Sequence, residues 1–143
     1  MLSHILYLCN HLNISQNLRA IMRRLEFASL QVRDLQASTE FYTQKLGFEL
    51  SEMKNPEATI FKFNKGEASF AIRTPIRSIE NQELGNGVSV WFAINEKIED
   101  LKVSLQQNGV VILGDIMQTP FGKALHVKDL DGYKLTFLEQ TST

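Results

Sequence analysis

The chain has 143 residues, with 15 basic and 16 acidic side chains and a net charge of −1. That length fits one domain with a real core, and the near-neutral balance gives no electrostatic footing for nucleic acid or an anionic membrane. No apolar run approaches the roughly 18–20 residues that span a bilayer, and the single cysteine, Cys9, excludes an internal disulfide framework and fits a reducing cytoplasm.

Residues 1–21 read as an extension ahead of a domain over 22–143. Their apolar stretch lacks the preceding basic residue and the small-residue cleavage site of a secretory signal. Leu8 stands where a lipoprotein signal needs a small side chain. Leu2, Ile5, Leu6, Cys9 and Leu12 fall at the spacing of a short amphipathic helix, and Met22 offers an alternative start.

From Glu26 the pattern sharpens. EFASLQV alternates as a strand, and Asp34 is placed to cap a helix, LQASTEFYTQKL, that Gly47 ends. Leu35, Ser38, Phe41, Tyr42 and Leu46 make its inner stripe. Strands FELSEM, TIFKF and ASFAIR follow. After a turn-rich segment, TPIRSIENQELGNG, the order repeats. SVWFAI reads as a strand, and Asn95 as the cap of a helix carrying Ile98, Leu101 and Leu105 and closed by Asn108-Gly109. VVILG, KALHV, an Asp131-Gly132 turn and YKLTFLE complete the series. Two β-α-β-β-β units, about residues 25–75 and 86–140, are an internal duplication. The expectation is an α+β fold: a curved mixed sheet around a cleft, with the helices outside.

FYTQKLGFEL in the first unit and DLDGYKLTFLE in the second carry a resemblance to the vicinal oxygen chelate superfamily. That superfamily includes glyoxalases, dioxygenases and bleomycin-resistance proteins. The resemblance covers about residues 25–140 and implies a divalent metal held by His, Glu or Gln from the first and last strand of each unit. The matching positions here are Phe27, Ala71, Ser89 (or Val88, one residue away) and Thr136. Phenylalanine and alanine have no donor atom, and neutral hydroxyls are poor ligands. No metal ligand, no cofactor and no catalytic residue are therefore expected.

Strand alternation sets Ser29, Gln31, Ser69, Arg73, Trp91, Ala93, Lys134 and Leu138 on the same face as these four. The opposite face carries Leu30, Val32, Phe70, Ile72, Val90, Phe92, Leu135 and Phe137, as packing against helices requires. The first face is mixed, as small-molecule pockets are. The alternative is a collapsed cleft filled by Phe27 and Trp91, with both cations reaching solvent. The expected ligand-binding set is Phe27, Ser29, Gln31, Ser69, Ala71, Arg73, Ser89, Trp91, Lys134 and Thr136. His126 reads as a strand residue at a surface or sheet edge, without a partner at ligand spacing. Gly85–Gly87 lacks the spacing of a phosphate loop.

Taken with the resemblance, these residues predict metal-independent binding or sequestration of a small aromatic or amphipathic molecule, in the manner of bleomycin-resistance proteins. The expected form is a cytoplasmic homodimer, with the units pairing either within a chain or across the dimer. The alternative is a metal-dependent enzyme of glyoxalase or dioxygenase type with non-standard ligands; a third reading is a dimeric domain with no ligand.

Overall fold

A computed structural model describes residues 21–141, so the expected helix around Cys9 lies outside the described residues, as do His4 and His11. The elements run β1 (Phe27–Gln31), α1 (Leu35–Glu40) continuing as a π-helical turn (Phe41–Lys45), β2 (Ala58–Ile60), β3 (Ser69–Arg73), β4 (Val90–Ile94), α2 (Ile98–Gln107), β5 (Val111–Ile112), β6 (Met117–Thr119), β7 (Gly122–Lys128) and β8 (Lys134–Gln140). The fold is α+β, with two sheets and two helices among the described residues. One sheet has the order β1-β3-β2, the other β4-β8-β7-β5 with β6 also on β7. In each unit the first strand lies parallel to the last, β1 to β3 and β4 to β8, and the remaining pairings are antiparallel. That is the duplication expressed in three dimensions.

Asp34 caps α1 as expected, its carboxylate accepting from the Ala37 N–H at 3.0 Å. The helix then widens. Leu46 N–H bonds the Phe41 carbonyl, five residues back, at 3.1 Å, and the wide turn places both Phe41 and Tyr42 in the core. Gly47, at φ +84°, ends it.

Three local expectations need correction. FELSEM is no continuous strand: only Leu50 bridges to Phe61, because bonds from Lys62 to Glu49 and from Ser51 to Ile60 are not extended along residues 48–53. Asn95 does not cap α2, which starts at Ile98 with its first N–H bonded to the carboxylate of Glu139 at 2.9 Å. A partner 41 residues away supplies what a local cap would. The segment Met117–Thr119 pairs with β7 as an unforeseen strand.

One apolar core joins the two units. Tyr42 stacks near Phe61 and Phe70 in the first unit, with ring centroids 5.4 and 5.9 Å away. Phe92 of β4 meets both Phe48 and Phe70 at 4.9 Å. Leu30, Val32, Phe70, Ile72, Val90, Phe92, Leu135 and Phe137 all belong to this core or pack against it. Each fully buried aliphatic or aromatic side chain of this kind contributes roughly 1.5–3 kcal/mol. The apolar faces of the two sheets thus share one interior, and by strand alternation their other faces lead away from it.

The two sequence blocks that carry the family resemblance form the clasp between the units. Asp129 is buried, and its carboxylate accepts from Tyr42 Oη at 2.7 Å and from the N–H groups of Asp131 and Tyr133, each at 2.9 Å. Those bonds shape the loop from β7 to β8, so the Asp131-Gly132 turn is one part of a longer, carboxylate-centred connection. Asp131 in turn accepts from the backbone N–H of Arg33 at 2.9 Å and from its guanidinium at 3.2 Å. The same guanidinium reaches the carbonyls of Ile79 and Gln82, at 3.2 and 2.6 Å. Burial, then the Asp129 charge, pushes the Tyr42 hydroxyl far above its ordinary value, so it remains a donor.

Candidate functional site

The outer face of the second sheet is ordered in rows by its register. Trp91 pairs with Thr136 and Ala93 with Leu138 across β4 and β8. His126 pairs with Thr136, Ala124 with Leu138 and Lys128 with Lys134 across β7 and β8. One row therefore holds His126, Thr136 and Trp91. On one side of it lie Lys128 and Lys134, with Ser89 just before β4; on the other lie Ala124, Leu138 and Ala93. Successive rows are about 7 Å apart, two residues at ~3.3 Å each.

The central row is tightly tied. The Trp91 indole N–H donates to Ser89 Oγ at 2.6 Å. His126 Nδ1 lies 2.7 Å from Thr136 Oγ1. The rings of Phe121 and His126 stand edge-on to Trp91, with centroids 6.5 and 6.2 Å away. Trp91 is nevertheless 42% exposed and Phe121 68%, so an aromatic surface fixed by hydrogen bonds faces outward. Thr136 is buried between its neighbours. Partial burial, and then Lys134, lower the His126 value below its ordinary one, which keeps the ring neutral near pH 7.

The sequence reading puts His126 at a surface or sheet edge; it lies on the outer face, partly exposed, but not at an edge, because its strand is flanked by β8 on one side and by β5 and β6 on the other. A single strand with polar and apolar residues alternating gives no sign of its neighbours. The signal that could have found it is the pairing of KALHV with YKLTF across the turn, which sets His126 opposite Thr136.

The outer face of the first sheet carries the rest of the expected set. Phe27 pairs with Ser69, Ser29 with Ala71 and Gln31 with Arg73. Phe27 is 49% exposed and Ala71 fully covered. Arg73 is engaged locally, its Nε donating to the Thr74 carbonyl at 3.1 Å and its guanidinium lying 3.9 Å from Glu57. Gln31 Oε1 accepts from Ile76 N–H at 2.9 Å. The structure thus groups Phe27, Ser29, Gln31, Ser69, Ala71 and Arg73 on one face, and Ser89, Trp91, Lys134 and Thr136 on another. Among the described residues no hydrogen bond, ion pair or ring contact joins the two groups.

A family model, the Glyoxalase/Bleomycin resistance protein/Dioxygenase superfamily, matches residues 24–137. The chain belongs to that superfamily. No curated protein matches it in sequence. Among solved structures it is similar to an antibiotic binding protein from Streptomyces sp. CB03234, with a TM-score of 0.65, 16% identity and 84% of this chain covering 98% of that one. A superfamily member from Sphaerobacter thermophilus DSM 20745 gives a TM-score of 0.64 at 19% identity, with 83% and 98% covered. A glyoxalase/bleomycin resistance protein/dioxygenase from Nocardioides gives 0.66 at 19% identity, with 91% and 93% covered. At these identities the likeness establishes the fold.

Within this superfamily the resemblance implies a divalent metal, and the donor chemistry of this member does not fit one. Phe27 and Ala71 offer carbon only. Ser89 Oγ accepts the Trp91 indole proton, and Thr136 Oγ1 is bonded to His126. Among the described residues no group of three or more His, Cys, Asp or Glu is placed to hold a metal ion. None of the helices described is long and apolar enough to cross a membrane.

Proposed function

We propose that this superfamily member binds a small aromatic or amphipathic molecule without a metal, on the sheet faces that lead away from the core, and does so in the cytoplasm. The observation that carries the reading is Trp91: a large aromatic left 42% exposed while its indole N–H is hydrogen-bonded and two rings, Phe121 and His126, stand nearly perpendicular to it. An aromatic pinned in that way presents contact area at little further entropic cost, as binding anchors do. One of the structures that share this fold is an antibiotic binding protein, which fits a small-molecule-binding role. Protein purified without chelator is expected to carry far less than one equivalent of Zn, Ni, Mn or Fe. A planar ligand should quench Trp91 fluorescence, and Trp91→Ala should weaken its binding by roughly 1–3 kcal/mol. Stoichiometric metal, or ligand affinity untouched by loss of the indole, counts against the proposal.

A second copy completes the site. The two ligand-facing groups of one chain lie on separate faces, and among the described residues β1 and β4 each have a strand on one side only. Open edges beside exposed Phe27 and Trp91 invite pairing with another chain. The first face of one protomer would then lie beside the second face of its partner. Light scattering at micromolar concentration is expected to report about twice the chain mass of 16.3 kDa. A monomer throughout that range would remove this part of the proposal.

A further inference from the structure

The outer face of the second sheet has a charge gradient that the binding proposal leaves unexplained. Lys128 and Lys134 stand directly opposite each other at the end of the β7–β8 ladder. Both are exposed, and like charges at such a position destabilise a strand pair. Neither makes an ion pair among the described residues. The other basic residues of the two sheets do: Arg73 is engaged with Glu57, and Lys123, on the reverse side of β7, bonds Glu99 at 2.6 Å. The two lysines, which share a concavity with Glu83 and Asp131 without pairing to either, lie one row from the Trp91 row, and the far row is apolar, with Ala124, Leu138 and Ala93.

From this arrangement we propose that Lys128 and Lys134 form an oxyanion subsite, and that the ligand is a planar aromatic acid bound in one orientation. Its ring lies on Trp91, between Phe121 and His126, and its carboxylate or phosphate lies between the two ammonium groups. The row spacing of about 7 Å sets the geometry: the acid is attached to the ring directly or through one or two atoms. A lysine pair suits either oxyanion, since each ammonium acts as a compact charge with rotatable donors. His126 adds direction. With Nδ1 committed to Thr136, its Nε2 has no partner among the described residues and is left to a ligand. The same geometry discriminates between the two cations on the expected binding faces. Arg73 is already held by its neighbours, so the acid is read by Lys134 together with Lys128.

This inference rests on the proposed binding at Trp91 and refines it. The test is a fluorescence titration of the full chain, read on Trp91, the single tryptophan. The probes are 2-naphthoate, 2-naphthyl phosphate and the neutral 2-naphthamide. The expected result is that at least one acid binds about tenfold or more tightly than the amide, and the tighter acid identifies the oxyanion. In the Lys128→Gln/Lys134→Gln double variant, both substitutions lying on the surface, that ratio should fall to about one. If the amide binds as well as both acids, or if the double variant keeps the preference, the oxyanion subsite is overturned while binding at Trp91 stands. If none of the three probes binds, both proposals fall together.

Discussion

Phe92→Ala is expected to cost the fold about 3–5 kcal/mol, while Trp91→Ala, one residue away, costs about 1 kcal/mol or less. The difference follows from which side of β4 each ring occupies. Phe92 touches Phe48 and Phe70 at 4.9 Å and Phe137 at 6.0 Å, drawing on both units at once. Its removal leaves a cavity where the two sheets meet, and neither sheet can close over it without shifting against the other. Trp91 lies on the outer face, where truncation exposes Thr136 and His126 to solvent without opening the core. Urea unfolding monitored by far-ultraviolet circular dichroism distinguishes the two. A tolerant Phe92→Ala with an unfolded Trp91→Ala would mean that β4 is turned over, since a one-residue slip exchanges its faces.

Removing the buried carboxylate at the clasp is expected to have a comparable effect. Asp129→Ala leaves Tyr42 Oη and the N–H groups of Asp131 and Tyr133 without their acceptor, at a cost of about 3–5 kcal/mol. Tyr42→Phe is milder, about 2 kcal/mol, because it deletes one bond to a charged group. The two variants also predict a pH dependence. Burial raises the Asp129 carboxyl above its ordinary value, while the Tyr42 bond opposes that rise. A carboxyl raised in the folded state contributes stability that is fully present below its unfolded value and is lost as pH rises through its folded value. Without the Tyr42 hydroxyl the folded value rises further, so more stability is lost on ionisation. The penalty of Tyr42→Phe should therefore be larger near about pH 7 than near about pH 4. Thermal or urea unfolding across that range checks it; a penalty that grows toward acid would contradict the assigned role.

Much of the architecture was legible because its signals are local. Alternation in EFASLQV, ASFAIR and SVWFAI is a period-two property of a few adjacent residues, and it identified the core-facing set that includes Phe70, Phe92 and Phe137. Asp34 as a cap and Gly47 as a stop depend only on neighbouring backbone, and both hold. The two-unit order likewise follows from such segments, with one strand fewer than expected in the first unit and one more in the second. Where a local signal failed, a distant group had taken over its task. Asn95 was displaced as a cap by Glu139, and Asp131-Gly132 is governed by the buried carboxylate of Asp129.

By itself, the sequence determined the two units, the core face of each strand and the donor-poor residues at the four positions where the superfamily would place a metal. Only the tertiary structure decided that the expected binding residues divide between two outer faces, that His126 bonds Thr136 beside Trp91, and that Lys128 opposes Lys134. The reason is physical. Which face a side chain takes is fixed by alternation along its own strand, whereas which residues become neighbours is fixed by register between strands and by the packing of Phe48 and Phe70 on Phe92. The β4–β8 register and the ring packing join residues far apart in the chain, which no short stretch of sequence contains, while Lys128–Lys134 and His126–Thr136 depend on the register of a single hairpin.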